Sequence, residues 1–297
     1  MIGRLLFKAR QLAAYDPVVA YYRDRVRPRI LETPPLTGTT DDTAEVHVLT
    51  SDKDWLNTVW ALKSFYAEVP TRYALAIHGD PGLSAEAVLG LRQQFPDARV
   101  IEQKDIRDEV LDGLSGHPLC RRLRETNTLA IKSFDFVHTL RADRMILFDS
   151  DLLFFAPPRA FLDHLDSGRR TNTFNRDVAT AYAVDVETIR AHGHKVVEEV
   201  NSGFGVVHRD SMRLDWMEEF LQIPGMSEGH FWRIEQTLFA LCGARYGMEL
   251  LPDEYRVFLK GEVGDRPYRH YVGAVRDRMY AEGMRKLKGT LLRGHAA

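Results

Sequence analysis

The chain of 297 residues contains only two cysteines, Cys120 and Cys242. That is too few for a disulfide framework or a zinc site, and it fits a reducing compartment without establishing one. Neither sign of charge is in excess: 40 Lys and Arg stand against 42 Asp and Glu, a formal net charge of −2. A near-neutral field makes no case for nucleic-acid binding, so no such partner is expected. No apolar run approaches the ~20 residues that cross a bilayer. The N-terminus lacks the apolar core and small-residue cleavage site of a signal peptide. The expected setting is the cytoplasm, or the cytoplasmic face of a membrane. Glycines are nowhere gathered into Gly-x-Gly-x-x-Gly or a P-loop, which leaves an ordinary dinucleotide or NTPase site unsupported. There is no internal repeat and no low-complexity tract.

What is present reads as a globular α/β protein. Hydrophobic residues make up 44%, charged residues 28% and aromatics 10%, enough for one large domain or two small ones. Residues 1–31 carry Ile2, Leu5, Leu6, Ala9, Leu12 and Ala13 at helical spacing beside Arg4, Lys8, Arg10, Arg23, Arg25, Arg27 and Arg29. We read a helix packed on the domain with a solvated basic face, interrupted by Asp16, Pro17 and Asp24; an interfacial helix resting on anionic lipid is the alternative. Residues 32–44, with Pro34, Pro35 and Gly38, read as a linker. The expected division is an N-terminal helical extension and linker over 1–44, then a main domain over 45–297 that ends in a basic helix.

From Glu45 the pattern alternates. Strands are expected at Val46 to Thr50, Tyr73 to Ile77 and Ala98 to Ile101, with helices over Trp55 to Tyr66 and Ser84 to Gln94. Leu119 to Leu140 predicts one long helical stretch leading into a further strand. Asn201-Ser-Gly reads as a turn that enters a short strand, Ser211 as the N-cap of a helix, and Phe231 to Cys242 as helical. Helices on both faces of such a sheet place ligands beyond the carboxyl ends of its strands.

One stretch organises the rest. Met145 to Phe148 is an unbroken apolar run, the mark of a strand buried on both faces. It ends in Asp149-Ser150-Asp151. Two carboxylates at the end of a buried strand need positive compensation, and a divalent cation with phosphate oxygens is the usual one. Taken alone, Asp-x-Asp is more often a turn cap and a solvated carboxylate.

Five segments in order resemble the nucleotide-sugar glycosyltransferases of the GT-A fold, and among them the retaining family 8 of galactosyltransferase and glycogenin type. The resemblance runs from residue 46 to about 280. Leu49-Thr-Ser-Asp-Lys-Asp-Trp55 is similar to the family's first strand and nucleotide loop. It implies a nucleotide-binding role for Thr50, Ser51 and Asp52, the last at uracil, with Trp55 stacked on the base; the family has Asn-Tyr where this chain has Asp54-Trp55. Lys132 takes the place of a basic residue directed at donor phosphates and sugar. Asp149 and Asp151 would hold the metal, with Ser150 between them. Asn201-Ser202-Gly203 resembles Asn-Ala-Gly, its amide directed at donor sugar or acceptor. Glu235-Gln236 resembles an Asp-Gln pair near the anomeric centre, with Thr237 where a third residue is usually Asp. His270-Tyr-Val-Gly273-Ala-Val-Arg276 resembles His-x-x-Gly-x-x-Lys. It makes His270 the third metal ligand, brings the Gly273 backbone near phosphate and places Arg276 on the β-phosphate.

The resemblance implies a GT-A, Rossmann-like mixed sheet flanked by helices, a single large domain, and metal-dependent transfer of a hexose from a UDP-sugar to an acceptor hydroxyl with retention. Mn²⁺ or Mg²⁺ is the implied cofactor; Glu235, Gln236, Asn201 and Lys132 are the implied catalytic residues. The acceptor is a glycan, glycolipid or other hydroxyl compound. Gln236 is a poor nucleophile and Glu235, one residue along a helix, should point about 100° away, so same-face attack is favoured over a covalent intermediate. Two rivals are a catalytically degenerate sugar-nucleotide binder and a sugar nucleotidyltransferase, which would need a Gly-rich basic loop after the first strand. His192, His194 and the charged run 195–199 read as a solvated helix or an acceptor loop. The closing stretch with Arg276, Arg278, Arg285, Lys286, Lys288 and Arg293 fits contact with anionic lipid as well as a helix with a solvated basic face. Oligomeric state is not read.

Overall fold

A computed structural model describes residues 16–38 and 40–292. The basic, apolar stretch over residues 1–15 and Arg293 lie outside the described residues. Seven strands form one sheet in the order β3-β2-β1-β4-β7-β6-β8, and β5 and β9 form a second, two-stranded one. The ranges are β1 Asp41–Thr50, β2 Tyr73–Gly79, β3 Arg99–Ile101, β4 Arg144–Asp149, β5 Leu152–Phe154, β6 Asn172–Arg176, β7 Val200–His208, β8 Met248–Leu250 and β9 Tyr268–His270. β3, β2, β1 and β4 run parallel, while β7 lies antiparallel to both β4 and β6. This is the mixed, helix-flanked sheet that the resemblance implied.

β4 shows why the apolar run reads as doubly buried. Ile146 and Phe148 enter one core cluster, while Met145 and Leu147 enter the other. The first cluster is built on rings: Phe65, Phe148, Phe154 and Phe204 meet edge-on at centroid separations of 5.1–6.4 Å, apart from the stacked Phe148–Phe154 pair at 5.8 Å. Among the described residues no helix is long and apolar enough to cross a membrane.

Several boundaries differ from the sequence expectation. β1 begins at Asp41 rather than Val46, pairing Asp41 with Tyr73 across an irregularity before Glu45. Its first residues are polar because Asp42 and Thr43 overhang the core edge and stay exposed. The stretch 119–140 is three helices, Pro118–Thr126, Ala130–Ser133 and Asp135–Thr139. Asn127 causes the first break: its backbone is extended, its Oδ1 accepts from the Leu129 amide at 3.0 Å, and its Nδ2 donates to the Phe231 carbonyl at 2.8 Å. Asn201-Ser-Gly is not a turn but the inside of a nine-residue, fully buried strand. Close approach explains one glycine there, since a Cβ at Gly205 would collide with the Thr173 carbonyl oxygen. Ser211 caps no helix; its hydroxyl donates to His208 O and accepts from Asn172, and the helix starts at Leu214. Asp16 and Pro17, which seemed to interrupt a helix, start one: the Asp16 carboxylate accepts from the Val18 amide at 2.8 Å.

Residues 17–32 are joined to the main core, with Val19, Tyr22, Val26 and Ile30 buried in the first cluster. They lie along the closing helical segment, which runs from Arg276 to Leu291. Met279, Tyr280 and Leu287 of that segment are buried, so its apolar side is spent on the fold, while Arg278, Arg285, Lys286 and Lys288 are exposed.

Candidate active site

Three strand ends meet at one place. Leu49 of β1 pairs with Asp149 of β4, and Phe148 pairs with Phe204 of β7, so Asp149 lies beside Gly203. Leu152 pairs with His270 across the small sheet, and the Tyr271 amide donates to Asp151 O at 2.9 Å. The topology therefore brings residues 149, 151 and 270 together from distant parts of the chain. One ligand atom from each of Asp149, Asp151 and His270 lies within 4.8 Å of the others.

The imidazole's proton is assigned by its surroundings. Asn201 Oδ1 accepts from the Gly203 amide at 3.0 Å, and Asn201 Nδ2 donates to Asp177 Oδ2 at 2.9 Å. Both partners have fixed roles, so the amide orientation is fixed too. His270 Nδ1, 3.1 Å from Asn201 Oδ1, must then be the donor. That leaves Nε2 facing Asp151 Oδ1 at 3.1 Å and Asp149 Oδ2 at 3.6 Å. Nε2 either keeps a proton, stabilised by the charge of this carboxylate pair, or is free to bind a cation. Burial depresses the His270 pKa, but Asp151 and then Asp149 reverse this and hold it above its ordinary value. Burial likewise raises Asp151, and the charges of His270 and Arg276 bring it back down to about 2. Gly203 is required here, because a Cβ would collide with His270 Cε1.

Lys132 enters from the short helix that the Asn127 break creates. It is buried, not surface-exposed, and its Nζ lies 2.8 Å from Asp149 Oδ1, 3.1 Å from Glu235 Oε1 and 2.9 Å from Ser202 O. Burial works against its charge, but Asp149 and Glu235 hold it firmly protonated. Glu235 also accepts from Ser202 Oγ at 3.1 Å. Burial lifts its carboxyl, Lys132 pulls it down and Asp149 adds to the rise, leaving it at about 7. Gln236 turns elsewhere, its Nε2 donating to Ala181 O at 3.2 Å and its Oε1 3.5 Å from Asn201 Nδ2. Adjacent on the helix Phe231–Tyr246, the two side chains diverge. Thr237 accepts from the Ala183 amide at 2.9 Å, pinning the loop that Gln236 also holds.

On the other flank, Arg276 reaches Asp151 Oδ2 at 2.9 Å and Asp54 Oδ1 at 3.1 Å. Gly273 opens the turn before it; the residue is exposed, and a Cβ there would meet nothing within 4 Å. Thr50 and Ser51 close β1: Thr50 Oγ1 bonds Thr58 Oγ1 at 2.7 Å, and Ser51 Oγ donates to Asp54 Oδ2 at 3.3 Å. Asp52 is exposed and accepts from the Ser84 amide at 3.1 Å. Ser150, between the two aspartates, is only partly covered. Trp55 is not brought to the site. Its ring is 9% exposed and packs over Gly90, where a Cβ would meet it at 2.7 Å, so the face expected to stack on a base is covered by helix Ala85–Gln94.

Asp177 is a site residue that sequence reasoning did not single out, a lone acid with no spacing that distinguishes it from a solvated one. Asp54 enters that reasoning only as a departure from the family's Asn-Tyr, with no role assigned to it. Asp54, Asp149, Asp151, Asp177 and Glu235 surround two fixed cations, Lys132 and Arg276, so the cluster is net negative even with His270 charged. Two carboxylate oxygens and an oriented imidazole nitrogen in such a field fit a divalent cation.

No family model and no curated protein matches the chain. Its architecture resembles several solved glycosyltransferases. The galactosyltransferase LgtC, solved with donor and acceptor sugar analogues, is 15% identical and aligns over 85% of this chain and 96% of that one, with a TM-score of 0.54. The bifunctional glycosyltransferase WbbM is 14% identical over 89% of this chain and 53% of that one, TM-score 0.53. The chain thus spans about half the length of WbbM. Mouse xyloside xylosyltransferase 1 is 13% identical over 78% of this chain and 98% of that one, TM-score 0.50. The fold is that of the GT-A glycosyltransferases.

Proposed function

We propose that the chain is a metal-dependent glycosyltransferase that moves a hexose from a UDP-sugar to the hydroxyl of a glycan, glycolipid or similar acceptor, with retention of anomeric configuration. The observation that carries this reading is the Asp149–Asp151–His270 group, with three ligand atoms within 4.8 Å and the imidazole oriented through Asn201. The fold shared with sugar-transferring enzymes supports the same class.

Asp149, Asp151 and His270 would hold Mn²⁺ or Mg²⁺, which neutralises charge on the departing diphosphate. Lys132 and Arg276 would add fixed positive charge on two sides of that group. The exposed, unobstructed turn at Gly273 lets backbone approach a phosphate. Thr50, which ends β1, and Ser51 and Asp52 just after it would take the nucleoside. Asn201 orients His270, and Asp177 holds Asn201.

The path to retention follows from what the two candidate nucleophiles are doing. Gln236 is an amide bonded at both ends, and Glu235 is engaged by Lys132 and Ser202. Neither presents a free carboxylate to an anomeric carbon, which favours attack by the acceptor on the face the diphosphate leaves, with a phosphate oxygen taking the proton. The test is a proton NMR time course with UDP-hexoses, Mn²⁺ and sugar acceptors. The α-anomer from an α-linked donor is expected; a β-linked product would remove retention. UDP binding without any turnover would favour the degenerate binder.

A further inference from the structure

One guanidinium bridges the metal-binding carboxylates and a carboxylate outside them. Arg276 Nη2 lies 2.9 Å from Asp151 Oδ2, and Nη1 lies 3.1 Å from Asp54 Oδ1. Both oxygens of Asp151 are thereby engaged, since Oδ1 faces His270 Nε2 at 3.1 Å. Asp54 is itself held in place. Its Oδ2 accepts from Ser51 Oγ at 3.3 Å and its Oδ1 from Asn57 Nδ2 at 3.1 Å. Asn57 is fully buried, and its own Oδ1 accepts from Arg27 Nη1 at 3.3 Å. A hydrogen-bonded chain therefore runs from residue 27 through 57 and 54 to the guanidinium.

We infer that Asp54 is a positioning residue that keeps Arg276 poised between Asp151 and the donor diphosphate, so that divalent metal and nucleoside diphosphate bind as a coupled pair. This rests on the metal and diphosphate site proposed above. A cation arriving alone must draw Asp151 away from Arg276 and then share the pocket with a like charge. A diphosphate arriving with it offers the guanidinium a new partner while Asp54 still holds the other nitrogen. The planar fork matters, because a lysine is a point charge and bridges two separated carboxylates poorly. Coupling of this kind is reciprocal between the two ligands.

The experiment is calorimetric titration of the full chain with Mn²⁺, with and without UDP, for the wild type, Arg276→Lys and Asp54→Asn. In the wild type, UDP should tighten Mn²⁺ by about tenfold or more. R276K keeps the charge but loses the bridge, so it should bind Mn²⁺ alone about threefold tighter and show a smaller UDP effect. D54N releases the second nitrogen, so the guanidinium can close fully on Asp151, which Nη2 already meets at 2.9 Å, and Mn²⁺ alone should bind about threefold more weakly. R276K and D54N that both match the wild type, while UDP still tightens Mn²⁺, would overturn this inference and leave the site reading standing. No Mn²⁺ binding by the wild type even with UDP would overturn both. Circular dichroism identifies a misfolded variant, and the other variant then decides.

Discussion

Glu235 carries a carboxyl held at about 7, chiefly by burial, against the pull of Lys132. An unfolded glutamate titrates near 4.3. Between those values the folded chain binds a proton that the unfolded chain has released, so this residue makes stability fall as pH rises, with the full penalty present above about 7. Glu235→Gln is therefore expected to melt above the wild type at pH 8 and level with it near pH 4.5, while transfer activity falls. Lys132 keeps Asp149 and the Ser202 carbonyl in that variant, so its charge is not orphaned. Equal melting temperatures at both pH values would contradict the buried-charge account. Stability given up at a site residue is the usual trade where function sets the environment.

At the scale of elements, Asn127 does the most for its size. It ends one helix, holds the turn before the next by accepting from the Leu129 amide, and ties that turn to the first residue of the helix bearing Glu235. Without that break, a continuous helix would not hold Lys132 at its present angle. Asn127→Ala should cost about 1–3 kcal/mol, lowering the melting temperature by several degrees, and should weaken UDP binding through displaced Lys132. Loss of stability with unchanged UDP affinity would confine Asn127 to a structural role. Elements like this one mark where the sequence was hard to read. The strands β1, β2 and β4 and the helices at 55–68 and 85–94 were legible, since apolar runs, helical spacing and the Ser84 cap all agree locally. β6 was not, because its buried residues are mostly polar: Asn172, Thr173 and Asn175 accept from the amides of His208, Val206 and Phe204. Polar side chains that satisfy a neighbouring strand leave no hydrophobic period to detect. In the site, the residue types at 149, 151, 235, 236, 270 and 276 could be picked out, whereas Asp177 and Asp54 gain meaning only from partners 24 and 222 residues away. Asn201-Ser-Gly looked like a turn because those residues favour turns, yet here they serve close packing against His270.

Over the whole molecule, the two ends of the described chain converge. Lys288 Nζ lies 2.9 Å from Tyr22 OH, which sets the 17–32 segment beside the closing helix. Arg25, Arg29, Arg278, Arg285, Lys286 and Lys288 are exposed there, but Met279, Tyr280 and Leu287 are buried. We expect any membrane contact by this face to be carried by these charges, although Val18, Tyr21 and Leu31 are exposed beside them. Sedimentation with vesicles rich in anionic lipid should show binding at low salt that is abolished near 0.5 M salt, roughly where screening shortens to a few ångströms. Binding that survives high salt would contradict an electrostatic surface, and absence of binding at any salt would remove the membrane contact altogether.

Asp149, Asp151 and His270 are proposed to hold a divalent cation against a nucleoside diphosphate. Thermal shift with UDP, GDP and ADP, each with and without Mn²⁺, tests it most directly, because a ligand bound only by the folded chain must raise its stability. Stabilisation by UDP with Mn²⁺ together is expected, with little from either alone and loss of the effect in Asp151→Asn. An equal shift in that variant, or none with any nucleotide in the wild type, would contradict it.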